Sequence, residues 1–324
     1  MAVFIIRRFL QSIVLVIIMS LLVFLGVYAI GNPADILVAP DATETERAEV
    51  VHHFGLDQPL YVQYGRFLAN AVQGDLGRSF KYGESALKLI AERIPATLEL
   101  AFAALFMTIL FGIPLGLYCG FKPDAPSSKL IMGFSAFGFS VPAFWLGLMM
   151  VMVFAVFLGW LPASGRGQTV NLLGIPVSFL TWDGIRHMVL PAFNLACFKL
   201  SLIIRLTRAE TQEVIRSDYV KYARAKGLKP RRIVFVHVLR NTLIPIVTVL
   251  GLEFGRTIAF ATVTETIFAW PGMGKLIIDS ISVLDRPVIV AYLMIIVVMF
   301  IAINLIVDLI YSALDPRVRL EERR

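Results

Sequence analysis

Apolar residues fall along this chain in long, nearly unbroken runs. The alternating or one-faced patterns of soluble strands and helices are largely missing. Six runs approach or exceed the about 20 residues a helix needs to cross a hydrocarbon core. They cover Phe9–Ile30, Ala96–Gly120, Leu130–Trp160, Met188–Leu206, Leu243–Val263 and Val288–Leu314, and each predicts a transmembrane helix. The third is longer than one crossing requires, and Pro142 predicts a tilt or a bend within it. The first follows Arg7 and Arg8, and Val27-Tyr28-Ala29 is only a weak cleavage site. Its apolar run exceeds the about 7–15 residues of a signal-peptide core, which predicts a retained helix. Residues 31–95 form a polar interval after this helix, with helix-compatible stretches at Asp41–Phe54 and Pro59–Val72 and turns at Gly74, Gly77 and Gly83.

Composition agrees: 58% of the 324 residues are hydrophobic and 16% charged, and the mean hydropathy is +0.78. These values place the chain among polytopic membrane proteins. The net charge of +7 is then read as the cytoplasmic Lys/Arg excess of a membrane protein, with no call for nucleic acid. With both termini inside, the short inner segments hold Arg7, Arg8, Lys122, Lys129, the run from Arg205 to Arg240, and Arg317, Arg319, Arg323 and Arg324. The outer segments hold Arg47, Arg66, Arg78, Lys81, Lys88, Arg93, Arg166, Arg186, Lys275 and Arg286, spread over more sequence and mixed with more acids. The higher Lys/Arg density inside fixes this orientation. Cys119 and Cys197 lie in apolar runs and read as packing residues, and the four histidines have no zinc spacing.

Two polar features remain. The first is Asp218-Tyr219-Val220-Lys221-Tyr222-Ala223-Arg224-Ala225-Lys226-Gly227, a basic segment between apolar spans. Gly227 permits a sharp helix end, and Leu228-Lys229-Pro230 suits a second helix starting near Pro230. Small residues at 223, 225 and 227 would let a partner surface come close, and Arg224 and Lys226 give charged edges. On charge alone the segment reads as a solvated basic loop held near anionic headgroups, and only the wider motif pattern reverses that. The second feature is Glu253 with Arg256 inside the fifth span. An intramembrane charge costs about 2.5–3.5 kcal/mol on insertion scales, so it faces a cavity or pairs. At 100° per residue Gly251, Gly255 and Ala259 share one face, suited to close helix contact, and Glu253 and Arg256 lie on the other. That face is expected either to look into a path through the membrane or to satisfy itself as an i,i+3 ion pair. Glu99, Lys199, Asn194, Asn304 and Asp308 are expected to make interhelical hydrogen bonds or to snorkel.

A series of short motifs runs through and between these spans, beginning with Gly55-Leu56-Asp57-Gln58-Pro59-Leu60, Gln63-Tyr64 and Gly74-Asp75-Leu76-Gly77-Arg78-Ser79. Ser140-Val141-Pro142-Ala143-Phe144-Trp145-Leu146-Gly147, Leu158-Gly159-Trp160-Leu161-Pro162 and Leu190-Pro191-Ala192 follow. Glu265-Thr266-Ile267-Phe268-Ala269-Trp270-Pro271-Gly272-Met273-Gly274, Asn304-Leu305-Ile306-Val307-Asp308 and Asp315-Pro316-Arg317 complete it. In this order the series resembles the permease subunits of ABC importers, in the dipeptide/oligopeptide subfamily. The basic segment is similar to the family's ATPase-coupling loop. The general Glu-Ala-Ala triplet is replaced by Lys221-Tyr222-Ala223 and the terminal proline position by Arg240, with Pro245 later; Gly31-Asn32-Pro33 stands where Gly-Asp-Pro is usual.

The resemblance implies an all-α polytopic membrane protein with six transmembrane helices of the type I class and an external segment after the first. The expected organisation is a tail and first helix at 1–30, an external segment at 31–95, a five-helix core at 96–314 with the coupling loop at 207–242, and a cytoplasmic tail at 315–324. The external segment is too small and charged to be a binding domain with its own core, and reads as a cap or a partner contact. By resemblance the coupling loop uses Asp218, Tyr222, Ala223, Arg224, Ala225, Lys226, Gly227, Arg240 and Asn241, and the translocation path uses Glu253 and Arg256. The implied partners are a second homologous permease, two ATPase subunits, a periplasmic or extracellular solute-binding protein and the lipid membrane, in a bacterial inner membrane. The expected substrates are di- or oligopeptides or related solutes such as glutathione or a nickel chelate. No cofactor is expected in this chain, ATP being bound by the partner subunits. Gly272-Met273-Gly274-Lys275 is followed by Leu276, not Ser or Thr, and is no phosphate loop. No Ser/His or paired-Asp constellation supports an intramembrane enzyme. The remaining alternative is a secondary transporter or channel using Glu253, Arg256 and Asp308 as a relay, although no internal repeat is evident.

Overall fold

A computed structural model describes residues 2–29, 43–53 and 57–314. The Gly31-Asn32-Pro33 turn, Gly55-Leu56 and the Asp315-Pro316-Arg317 tail lie outside the described residues, as does the side chain of Asp308. The chain divides into two compact units, Met1–Ile94 with Lys275–Ile301, and Pro95–Gly274 with Ala302–Arg324.

In the first unit, α1 (Ala2–Ala29) carries the first apolar run. Short helices α2 (Glu44–His53) and α3 (Leu60–Val72) follow, close to the bounds expected from sequence. Val16 and Val23 of α1 pack with Phe67 of α3 and with Val290 and Met294, near the start of the last helix. Tyr64 explains its place in the sequence signature: its hydroxyl lies 2.7 Å from Ser20 Oγ and its ring 5.4 Å from that of Phe24. After α3, Gly74, Gly77 and Gly83 all have positive φ. The tight segment they build is pinned by the carboxylate of Asp285, which accepts from Ser79 Oγ, from Phe80 N at 3.1 Å and from Lys81 N at 3.4 Å.

Helix α4 (Ala86–Met107) leads into the second unit and runs through a π-helical turn (Thr108–Gly112) into α5 (Ile113–Phe121). Next come α6 (Pro126–Ser140) and α7 (Ala143–Met150), the latter extended by a π-helical stretch, Val151–Phe157. The third predicted span is thus two helices bent by 108°. The break falls at Val141-Pro142, where the residue before a proline is forced into extended backbone. A two-stranded antiparallel hairpin, β1 (Val170–Leu172) and β2 (Ile175–Val177), follows. It is a small addition to an otherwise helical fold among the described residues, and the all-α class expected from sequence holds. Three-residue strands closed by Leu173 and Gly174, both at positive φ, leave too short a pattern to read.

Helix α8 (Trp182–Arg216) is the centre of this unit, packing against α5, α6, α7 and the later helix α11 (Leu239–Phe260). Gly112, Gly116 and Gly120, one turn apart, face Ile203, Thr207 and Thr211 of α8; a methyl group on Gly116 would collide with Thr207 and with Ile204 O. Glycines at this spacing let the two backbones meet, the device that holds helices together where lipid supplies no hydrophobic drive. The adjoining core is built from Ala96, Leu100, Ala104, Ala192, Ala196 and the fully buried Trp270. Two short helices, α9 (Asp218–Ala225) and α10 (Pro230–Arg232), lie between α8 and α11, with a π-helical stretch at Ile233–Val238. The chain closes with α12 (Thr262–Ile267), α13 (Met273–Ser282) and α14 (Arg286–Leu314).

Among the described residues four helical segments are long and apolar enough to cross a membrane: Ala86–Phe121, Trp182–Arg216, Pro230–Phe260 and Arg286–Val307. The bent α6–α7 pair makes five if it counts as one crossing, and Leu10–Gly26 of α1 is a shorter apolar stretch. The six predicted runs all fall on helices, but the count of six crossings is met only by including those two.

Candidate functional site

The basic segment is a compact helix–turn–helix. Helix α8 is about 52 Å long at 1.5 Å per residue, against a hydrocarbon thickness of about 30 Å. Its last turns therefore carry the chain well past the predicted span end at Leu206, and residues 207–216 of the expected loop are helix. Helix α9 has Asp218 in its first turn and Arg224 in its last, the order the helix dipole favours. Lys221 Nζ donates to Asp218 Oδ1 at 2.9 Å; that hydrogen bond and the lysine charge lower the Asp218 carboxyl below its usual range.

The helix ends in a Schellman turn. Gly227 sits at φ +72°, its N–H donates to Arg224 O at 2.9 Å, and Leu228 N donates to Ala223 O at 3.2 Å. Nothing lies within 4 Å of where a Gly227 Cβ would be. Glycine is therefore required there by backbone conformation and not by space. Lys229 then caps α10, whose first residue is Pro230, a position that needs no N–H.

The segment has a core of its own. Val220 and Ala223 of α9 pack with Ile233 and Val238, with Leu228 of the turn, and with Val214, Ile215 and Phe121 from the ends of α8 and α5. Ala223 is thus small for the sake of the segment's own packing, not to admit a partner. Asp218, Tyr222, Arg224, Ala225, Lys226 and Gly227 are exposed, as are Lys229, Arg231, Arg232 and Phe235. Between 218 and 232 six basic residues stand against one acid. Lys226 Nζ lies 4.7 Å from the centre of the Tyr222 ring. Arg240 and Asn241 lie further on, exposed in the first turn of α11, where Asn241 Nδ2 donates to His237 O at 2.8 Å. Pro245 lies inside α11 and does not end the loop.

Glu253 and Arg256 do not share an open face. Glu253 is buried, and Arg256 keeps 66% of its side chain exposed while its Nη1 reaches Glu253 Oε1 at 3.0 Å. The long arginine side chain reaches the surface while the shorter carboxylate stays inside, within electrostatic reach of Lys199. Lys199 Nζ donates to Leu195 O at 2.8 Å. Gly251 packs against Val307, as its spacing predicts. Asn194 makes the interhelical bond expected of it, to Thr264 Oγ1 at 2.9 Å.

Two buried carboxylates do more than the sequence reading gave them. Glu99 accepts from Arg166 Nε at 3.0 Å and Nη2 at 2.7 Å, from Ser178 N and Oγ, and from Phe179 N, and so ties the β-hairpin to α4. Glu265 accepts from Thr97 Oγ1 at 2.7 Å and lies directly against Gly272, where any side chain would displace it. In the same motif Trp270 Nε1 donates to Ala96 O at 2.8 Å. Arg166 and Ser178 are some 70–80 positions from Glu99, and no local signal connects them. Among the described residues no group of three or more His, Cys, Asp or Glu side chains could hold a metal ion.

Residues 112–320 match the family described as binding-protein-dependent transport system inner membrane component, and residues 1–101 match the family described as the N-terminal part of the membrane component of such systems. The chain belongs to this family, and is a multi-pass inner-membrane permease of a binding-protein-dependent ABC importer. Among its relatives, the di/tripeptide transport system permease protein DppB of Pseudomonas aeruginosa (strain UCBPP-PA14) is 40% identical over 302 residues, covering 89% of this chain and 90% of that protein. The oligopeptide transport system permease protein AppB of Bacillus subtilis (strain 168) is 38% identical, covering 98% and 99%. The glutathione transport system permease protein GsiC of Escherichia coli O6:H1 (strain CFT073) is 37% identical, covering 98% of each. A chain from the MetNI methionine ABC transporter, solved in inward facing conformations, aligns with a TM-score of 0.54 over 71% of this chain and 97% of that one, at 17% identity. That likeness gives the type I permease fold alone.

Proposed function

We propose that this chain is one membrane half of an ATP-driven importer for di- or oligopeptides or related small solutes. It works with a second homologous permease, two ATPase subunits docked on its cytoplasmic side and an external solute-binding protein. The relatives named for peptide and glutathione transport support the substrate class. The observation that carries the reading is the helix–turn–helix at 218–238, exposed and basic outside yet packed on its own core within. Such an element transmits force. A load on Tyr222, Arg224 or Lys226 passes through Val220 and Ala223 to the ends of α8 and α5 without deforming the turn. Closure of the ATPases would then rock the helices between outward and inward access. No group of this chain takes part in ATP hydrolysis. Both termini and the 218–238 segment are cytoplasmic in this reading, residues 31–95 are external, and Arg256 with Glu253 borders the translocation path.

The test is co-purification with the importer's co-expressed ATPase subunits. Wild type is expected to retain them. Gly227→Pro is expected to lose them, because proline cannot adopt φ +72° and has no N–H for Arg224 O. Gly227→Asn, which tolerates this backbone conformation, is expected to retain them. Retention by Gly227→Pro would remove the coupling role from this turn, and no ATPase with wild type would overturn the importer reading.

A further inference from the structure

Arg286 opens α14 with only 8% of its surface exposed, and its Nε and Nη1 are buried without a hydrogen-bond partner. No carboxylate among the described residues forms a salt bridge with it. Its neighbour Asp285 is fully buried and already engaged by Ser79, Phe80 and Lys81. A desolvated, unpaired guanidinium costs several kcal/mol. Its position at a helix N-terminus, where the dipole favours anions, adds to the cost. The site is therefore complete only when an anion arrives from outside the chain.

The surroundings indicate what brings the anion. The Asp285 contacts hold residues 79–81 beside the turn before α14, and on these two segments Phe80, Tyr82, Ile281, Val283 and Leu284 are exposed. Leu284 holds a positive φ of 54° in that turn, which fixes the approach to Arg286. A buried arginine flanked by exposed aromatic and aliphatic side chains has the composition of the centre of a protein–protein interface. It precedes the apolar stretch of α14, on the side the charge pattern assigns to the exterior. We propose that Arg286 receives an Asp or Glu side chain of the external solute-binding protein when that protein docks. The inference rests on the importer reading and names the chemistry of one of its contacts.

The experiment uses the assembled importer in nanodiscs of neutral phosphatidylcholine, titrated with its purified solute-binding protein. Arg286→Met is expected to weaken binding about tenfold or more, the range of a lost buried charge pair at an interface. Arg286→Lys is expected to recover part of the affinity, keeping the charge without the planar fork. The free importer carrying Arg286→Met should melt no lower than wild type, since an unpaired buried charge gives way to an apolar chain. Neutralising the cognate acid on the binding protein should give the same loss, with no further loss when both changes are combined. The proposal is overturned if Arg286→Met binds within twofold of wild type. A lower melting temperature for the variant overturns it too, since Arg286 would then have a partner inside the importer. A loss seen only in discs of anionic lipid also overturns it and assigns the site to a lipid headgroup. Failure of the binding protein to bind the wild-type importer would instead strike the importer reading itself.

Discussion

Arg256 and Glu253 illustrate how a single pair divides its work within an apolar helix. The carboxylate is buried and the guanidinium reaches the surface, so removing one partner is not equivalent to removing both. Arg256→Gln alone leaves Glu253 buried with Lys199 as its remaining charge, and is expected to lower the melting temperature of the purified importer more than Arg256→Gln with Glu253→Gln does. The double variant is also expected to change uptake rate or solute preference in proteoliposomes. Unchanged transport would make the pair a structural clasp and take it out of the path. Sequence spacing put both residues opposite Gly251 and Gly255. It could not say which would be buried, because that depends on the reach of each side chain and on Lys199, some fifty positions away.

The same division between local and remote information holds for whole elements. The C-terminal end of α9 was legible because it rests on backbone chemistry: Gly227 for the turn and Pro230 to start the next helix. The role of Ala223 was not, since its burial depends on Ile233, Val238 and Phe121 arriving from other elements. The hairpin at 170–177 escaped for a related reason, being held by Glu99 and Arg166 more than by its own sequence. The α5–α8 contact is set by glycine spacing, and it predicts a reciprocal pair of variants. Gly116→Ala drives a methyl into Thr207 and Ile204 O, and overpacking of this kind costs about 1–3 kcal/mol. Thermal unfolding in detergent should show that loss, and adding Thr207→Ala should recover part of it. No recovery in the double variant would mean that the backbone oxygen of Ile204 alone sets the limit.

At the scale of the molecule, long apolar runs and Lys/Arg density were enough to give a polytopic membrane chain, and ordered short motifs were enough to give its family. The number of crossings was harder to read, because Val141-Pro142 divides one apolar run into two helices at 108°. In the proposed reading this permease does its work only through ATP hydrolysed by its partners. The most direct test is peptide uptake by the complete importer in proteoliposomes, with solute-binding protein and a mixed dipeptide pool outside. Uptake is expected to require ATP on the ATPase side, to persist when a protonophore collapses the proton gradient, and to fall to background with Gly227→Pro. Uptake that runs without ATP and stops with the protonophore would contradict the account and make the chain a secondary carrier.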